Sequence, residues 1–347
     1  MGRILALGAL VCAGWCARAQ MPHTGDINFY GLHKVTQAEI LHETGVAPGG
    51  RLPPSKGDLQ DKLEQMSNVV QARIEAVCCE ADRAALFIGI EERGAPHPSF
   101  RSDPSGDATL PQEMLDRYQQ YLGALQRATA HGNTAEDLSA GHPLMEDPAA
   151  RAIQTEFIQF AKDHLDELRR ALHNSSDPDT RAAAAAVIGY GPKTQMVVDE
   201  LQFALNDPEL PVRTSAMRSL EALIVYAQKN ADAGLKVAPT WLVELLHSVE
   251  LRDRVEATKA LSLMTDGTTS PMRAPAIDLM RERAVADLAE MARWPTLQYA
   301  LPPFLLVGRI AGMPDNEITQ AWGKSDRAAV ITRALDTATS KSRGTRK

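Results

Sequence analysis

The sequence predicts a predominantly α-helical protein in which an all-α helical-repeat solenoid follows a small α+β domain. Two observations support this fold class. A leucine, arginine and alanine motif recurs three times in the second half of the chain, and residues 26–93 alternate between strand-like and helix-like patterns. Between these two parts, residues 94–111 contain proline, glycine, serine and aspartate and hold almost nothing to bury, which predicts a linker.

The first 19 residues are typical of a secretory signal peptide. Arg3 precedes an apolar run over residues 4–12, and Ala17-Arg18-Ala19 is a small-x-small cleavage site before Gln20. The apolar run is too short to span a bilayer, although an uncleaved anchor remains the alternative. We therefore expect an exported protein, periplasmic or secreted, that acts in a bacterial cell envelope.

The net charge indicates which class of partner is disfavoured, and the cysteine content bears on redox chemistry. Cleavage removes Arg3 and Arg18 and no acidic residue, so the net charge falls from −7 to −9. An acidic chain disfavours nucleic acid or an anionic membrane as the main partner. The mature chain keeps Cys78 and Cys79, which are adjacent. A redox switch is one possibility for this pair, but the absence of a Cys-x-x-Cys motif favours two packed or hairpin-end thiols.

The first domain has the predicted order β-α-α-β-β. The stretch DINFYGL is strand-like, and Thr36 is placed to begin a helix that Gly45 ends. Ser55 is placed to begin a second helix. Two alternating stretches, VQARIEAV and AALFIGIEE, then follow as strands around a short turn.

This order resembles the POTRA domain family over residues 26–93. The positions that carry the resemblance are Val35, Thr36, Ile40, Gly49, Gly50, Glu91 and Glu92. The resemblance implies an exported domain that binds other protein chains, although this sequence has neither a barrel nor a convincing membrane anchor. The alternative is a generic small α+β domain without a recognition role. A three-stranded sheet also has two edges, and an open edge can accept a strand from a partner.

The helical domain is predicted over residues 112–335, with a disordered basic tail at 336–347. Its first helix places Met114, Leu115, Tyr118, Leu122 and Leu125 on a buried stripe, and a long helix is expected from Pro148 to about Leu172. Pro302 and Pro303 are expected to kink or divide the last helix pair.

Three repeats are visible in this domain. Their motif residues are Leu168, Leu172, Arg181, Ala184 and Ile188; Leu201, Leu205, Arg213, Ala216 and Leu220; and Leu242, Leu246, Arg254, Ala257 and Leu261. The arginines are 32 and 41 residues apart, which suits two-helix units separated by loops of different length. The pattern, clearest at Asn206-Asp207-Pro208 and Val212-Arg213, is similar to HEAT repeats over about residues 149–312.

The three arginines Arg181, Arg213 and Arg254 have two possible roles. They line a binding groove, or they bond to turn carbonyls and to an acidic residue of the next repeat, as the resemblance to HEAT repeats implies. We favour the structural role, with Leu201, Leu205 and Leu220 in the interior between repeats. The concave face of the array is then the second candidate binding surface beside the sheet edge.

The sequence offers no catalytic or metal-binding motif. The nine histidines show no ligand spacing, and GYGPKT at 189–194 lacks the spacing of a phosphate loop, so Gly189 and Gly191 are interpreted as helix caps. We therefore predict a non-enzymatic scaffold without a cofactor, whose two separable modules bind a protein or peptide. The alternative is an enzyme subunit whose active site is completed by another chain.

Overall fold

A computed structural model of the chain describes residues 22–80, 83–267 and 270–344, with the backbone alone at 78–80 and 340–344. The predicted signal peptide, residues 1–19, lies outside the described residues. Within the described ranges, no helix is both long and apolar enough to cross a membrane.

The N-terminal domain has the predicted order of elements. Its bounds are β1 His23–Tyr30, α1 Gln37–Thr44, α2 Lys56–Glu64, β2 Val69–Glu80 and β3 Arg83–Glu92. Thr36 caps α1 through a reciprocal pair of bonds with Glu39, and Gly45 ends the helix with a φ of 66°, a left-handed conformation that favours glycine. Ser55 caps α2 by accepting a hydrogen bond from the Asp58 amide.

The three strands form one sheet in the order β1-β3-β2. The central strand β3 runs parallel to β1 and antiparallel to β2. One face of the sheet packs against α1 and α2, where Ile40, Leu63 and Ile88 are fully buried. This β-α-α-β-β order confirms the predicted arrangement of the domain, whereas membership of the POTRA family stays a prediction.

The second face of the sheet packs against the helical domain, and the separability of the two modules stays a prediction. Tyr30 and Phe87 share a buried cluster with Trp294. Trp294 Nε1 donates to the Phe29 carbonyl at 2.7 Å. Gly89 makes this packing possible, because a Cβ there would lie 2.3 Å from the Tyr30 ring. The aromatic surface that a separate domain would have to expose is thus covered.

The segment 94–111, which its composition predicts to be a linker or long loop, is held against the helical domain. The Arg101 amide donates to the Asn206 carbonyl at 3.0 Å, and Leu110 is 4% exposed. Phe100 lies over the guanidinium of Arg213, with 4.0 Å between Cζ and the ring centroid. A few strong contacts therefore hold a segment that otherwise has little apolar surface.

The rest of the described chain is helical apart from a short hairpin, β4 Glu136–Asp137 with β5 Leu144–Met145. The helices are α3 Gln112–Ala130, α4 Pro148–Asp163, α5 Leu165–Asn174, α6 Pro178–Ile188, α7 Gln195–Ala204, α8 Leu210–Lys229, α9 Thr240–Glu244, α10 Leu251–Met264, α11 Arg273–Arg283, α12 Val285–Met291, α13 Leu297–Ile310, α14 Asp315–Gly323 and α15 Arg327–Gly344.

Three boundaries differ from the predictions. The long helix expected from Pro148 breaks at His164, whose φ of −123° is outside the helical range, and α5 then starts with acidic residues in its first turn. Pro302 and Pro303 lie inside α13 without dividing it. The tail expected from residue 336 is helical to Gly344, because Val330, Ile331 and Ala334 anchor α15 on the array and the helix propagates from there.

The core of the repeats is continuous across the helical domain. Leu201, Leu205 and Leu220 are each 0% exposed. Gly189 lies between α6 and α8, and a Cβ at this position would be 2.1 Å from Ser219 Oγ. Gly189 is the C-cap of α6, as the sequence predicts, and its φ of −61° is ordinary, so glycine is required here for close helix packing rather than for a left-handed conformation.

We expect Leu201→Ala to lower the free energy of unfolding by about 2–5 kcal/mol, because the buried side chain leaves a cavity. Leu297, which is 55% exposed, supplies the matched control. Thermal and urea unfolding of both variants measure the difference. Equal melting temperatures for the two alanine variants would contradict this register of the repeats.

Candidate functional site

The first repeat arginine bridges two repeats at their turns. Arg181 donates from Nε and Nη2 to both carboxylate oxygens of Asp207, at 2.9 and 3.0 Å. Its Nη1 donates to the carbonyl of Ser175 at 3.0 Å. Asp207 belongs to the next repeat and is 0% exposed, so this fork-to-fork pair joins the repeats in the interior.

The next two arginines repeat this arrangement. Arg213 Nη2 donates to Asp253 at 2.7 Å, and its Nη1 donates to the carbonyl of Asp207 at 2.8 Å. Arg254 donates from Nε to the Ser248 carbonyl at 2.6 Å and from Nη1 to Asp287 at 3.2 Å.

The N-terminal part of the chain covers this ladder. Asp103 accepts a hydrogen bond from Arg181 at 3.1 Å, and Arg101 pairs with Asp207. The Tyr30 ring lies over Arg254, with 5.0 Å from Cζ to the ring centroid. The arginines of the motif are thus enclosed by the protein itself and have no exposed surface with which to bind a partner.

A groove lies on a different face of the array, with a volume of about 840 Å³. Its lining includes Tyr118, Tyr121, Leu122 and Leu125 from α3, Pro211, Thr214, Ser215 and Arg218 from α8, and Arg252, Glu256 and Lys259 from α10. The residues from α8 and from α10 are spaced by three and four, which places each set on one face of its helix. The groove therefore crosses neighbouring repeats.

The α3 wall is mostly apolar. Tyr121 is 5% exposed and packs edge-on against Phe157, with 5.6 Å between ring centroids. The sequence placed Leu122 in the buried stripe of α3, but it is 37% exposed at the groove. The reason is that the larger Tyr121 ring takes the inner position, which turns the buried stripe by one residue.

Arg218 occupies the floor of the groove with its charge already compensated. Its Nε donates to Glu136 of β4 at 2.7 Å, and its Cζ lies 5.5 Å from the centroid of the Tyr121 ring. Burial lowers the pKa of Arg218, but the neighbouring Tyr121 and Glu136 raise it above its usual value. This arginine fixes the hairpin to α8.

Glu221 lies beneath the α10 side of the groove in an unusual environment. It is 0% exposed, and neither carboxylate oxygen makes a well-aligned hydrogen bond, although Lys259 Nζ is 2.6 Å from Oε2. Burial raises the pKa of Glu221 to about 8, against the lowering effect of Lys259. For Lys259, burial lowers the pKa but Glu221 and Glu256 raise it overall.

The raised pKa of Glu221 indicates a weak ion pair, whereas the raised pKa of Lys259 indicates a strong one. Burial of the carboxyl dominates, because Glu221 is fully enclosed while the Lys259 side chain is 48% exposed and keeps much of its hydration. A neutral Glu221 leaves the positive charge of Lys259 facing the groove.

A smaller cleft of about 540 Å³ lies where the end of β1 meets α12. There Glu290 accepts hydrogen bonds from the amides of Gly31 at 2.8 Å and Leu32 at 3.3 Å. Burial raises the pKa of Glu290 to about 7, while Arg254 and the two amides lower it. This carboxyl joins the two parts of the chain.

The adjacent cysteines are the remaining candidate positions from the sequence. Cys78 and Cys79 lie in β2, and their side chains are outside the described part of the structure, so a redox role stays a prediction. Among the described residues, no cluster of three histidine, cysteine, aspartate or glutamate side chains could hold a metal ion.

Comparison with known proteins identifies the repeats. Residues 165–262 match the family model for HEAT repeats. This range contains Arg181, Arg213 and Arg254 but not Asp287, the acid that pairs with Arg254, and it supports a helical-repeat solenoid in this part of the chain. No curated protein matches the sequence.

Two solved structures of designed armadillo repeat proteins are similar to parts of the chain. The first has 15% identity and a TM-score of 0.33 and covers 56% of this chain and 94% of its own. The second, a computationally designed armadillo repeat protein for modular peptide recognition, has 14% identity and a TM-score of 0.34, with 66% and 98% covered.

We expect Glu221→Gln to change how stability depends on pH. A carboxyl whose pKa is raised when folded favours folding while protonated, and this contribution is lost as the pH rises from about 4.5 towards about 8. The glutamine variant should therefore be the more stable chain at about pH 9, by up to about 5 kcal/mol.

Urea unfolding of both chains at about pH 5 and pH 9 measures this difference. All other titrating groups are the same in both chains, so their contributions cancel when the free energies of unfolding are subtracted. If the variant is less stable than the native chain, and by more at high pH than at low pH, the ion pair with Lys259 outweighs the burial of the carboxyl.

Proposed function

We propose that this chain is a non-enzymatic scaffold that binds an extended peptide segment of a partner protein in the groove between α3, α8 and α10. The observation that carries the proposal is the groove itself, about 840 Å³ with an apolar wall and a few fixed charges. This combination is typical of sites that bind ligands, since apolar surface supplies affinity and a few polar groups set orientation.

The rigidity of the floor supports the same function. Three buried arginine–aspartate pairs fix the repeats relative to each other, and the Arg218–Glu136 pair holds the hairpin against α8. A groove that is already formed costs less to occupy, because few side chains must be ordered on binding.

The outer edge of β2 is a second candidate surface. The β1 edge is partly covered, since Trp294 donates to the Phe29 carbonyl. On β2, Glu64 accepts from the Ala72 amide at 3.0 Å, which shows that this amide points away from β3. By the alternation of an antiparallel ladder, the amides of Ile74 and Ala76 point the same way and are placed to pair with an added strand.

We also propose that the protein is exported and acts in the cell envelope. The support is the signal-like sequence of residues 1–19 and the resemblance of residues 26–93 to POTRA domains. Mass spectrometry of the mature protein should find Gln20 as the first residue. An intact Met1 in a cytosolic fraction would contradict the export of this chain.

An enzyme subunit completed by another chain is the alternative function. The observation that favours it is the Glu221–Lys259 pair beside the groove, because a carboxyl with a raised pKa in a cleft is also a feature of catalytic sites. Copurification of a metal or cofactor with the assembled complex would support this alternative over a scaffold.

The groove is tested by affinity capture followed by measurement of the dissociation constant of each captured partner. Leu122→Gln should weaken binding about tenfold or more, because burying a leucine side chain contributes about 1.5–3 kcal/mol. Ile158→Gln is the matched control, since Ile158 is equally exposed but does not line the groove.

The same assay separates the two surfaces. Ala76→Pro removes the outward amide of β2, whereas Ala76→Ser keeps it. A partner lost with Ala76→Pro but retained with Leu122→Gln binds at the sheet edge. That result would move the binding function away from the helical groove.

A further inference from the structure

We propose that the groove selects partner segments that combine large apolar side chains with carboxylates. This inference rests on the proposed function and specifies its ligand. It follows from how charge and apolar surface are distributed across the groove.

The α10 side of the groove exposes positive charge and hides negative charge. The side chains of Arg252 and Lys259 are 58% and 48% exposed. The acids that pair with them, Glu256 and Glu221, are 16% and 0% exposed. A ligand that approaches this side therefore meets two cations, although the whole chain carries a net charge of −7.

The opposite side offers apolar surface rather than charge. Leu122 is 37% exposed, and Leu125 is half-buried beside it. Tyr118 also lines the groove, and its hydroxyl lies 3.4 Å from Ser215 Oγ, so the polar end of this ring is already occupied. Leucine, methionine or phenylalanine side chains of a ligand would bury this surface.

The middle of the groove does not favour a cationic ligand. Glu136 is the acid on its floor, and its carboxylate already accepts hydrogen bonds from two nitrogen atoms of Arg218. A lysine or arginine of a partner would have to displace Arg218, which would leave a largely buried guanidinium without its acid.

A carboxylate also fits better than a nucleic acid backbone. Strong binding of a polyanion depends on many cations that neutralise successive phosphates. Two exposed cations opposite an apolar wall suit a short acidic and apolar peptide, which presents one or two carboxylates and buries its side chains.

Synthetic peptides test the inference directly. We would use fluorescein-labelled eight-residue peptides that carry two leucines or phenylalanines followed by two aspartates, two asparagines or two lysines. Fluorescence polarisation with the full chain should show the tightest binding for the aspartate set. The preference over the asparagine set should be about tenfold and should fall in high salt.

The double variant Arg252→Gln with Lys259→Gln should remove this preference by weakening the binding of the aspartate set to the level of the asparagine set. Arg283→Gln with Lys324→Gln is the matched control, because it removes the same net charge from positions that do not line the groove. The control variant should keep the preference for aspartate.

The outcomes separate this inference from the proposed function. Equal binding of all three peptide sets, still weakened by Leu122→Gln, would overturn the selection for acids and leave the groove as a binding site. Peptides that bind unaffected by Leu122→Gln, or not at all, would overturn both. Concentration-dependent dimerisation that Leu122→Gln abolishes would assign the groove to a second copy of this chain and also overturn the inference.

Discussion

The buried arginine–aspartate pairs between repeats are the constraint on which the rest of the structure depends. A guanidinium carries five donors and keeps its charge, so it can be enclosed only where acceptors surround it. Arg181, Arg213 and Arg254 each meet this requirement with a carboxylate from the following repeat and with carbonyls of their own turns. Because leaving such a charge unpaired costs about 3–5 kcal/mol, the pairs restrict how successive repeats can be oriented.

The positions of β1, of the segment 94–111 and of the groove follow from this constraint. The end of β1 and the segment 94–111 lie on the side of the ladder, where Tyr30 and Phe100 cover its guanidinium groups. The groove uses a separate face of the same helices. On α8, for example, Arg213 points into the ladder while Thr214 and Arg218 line the groove. One helix therefore carries a structural face and a candidate binding face, distinguished only by side-chain direction.

Local patterns in the sequence predict most of the elements, but they do not predict the contacts between distant elements. Thr36, Gly45 and Ser55 mark helix ends through their own backbone neighbours, so they can be recognised one element at a time. The partner of Trp294 cannot be recognised in this way, because it is a strand far away in the chain. The charged residues at 252, 256 and 259 do have helical spacing, but such a stripe is as typical of a solvated face as of a groove rim.

The junction between Trp294 and β1 has a consequence for the order of events during synthesis. The hydrogen bond from Trp294 to Phe29 joins residues 265 positions apart. Once Glu92 has emerged from the ribosome, the N-terminal sheet can fold against its own two helices, but its aromatic face must wait for the last third of the chain. A nascent chain thus carries Tyr30 and Phe87 as exposed surface for much of its production. Chaperones that bind apolar segments would find their target there, and completion of the array would release it.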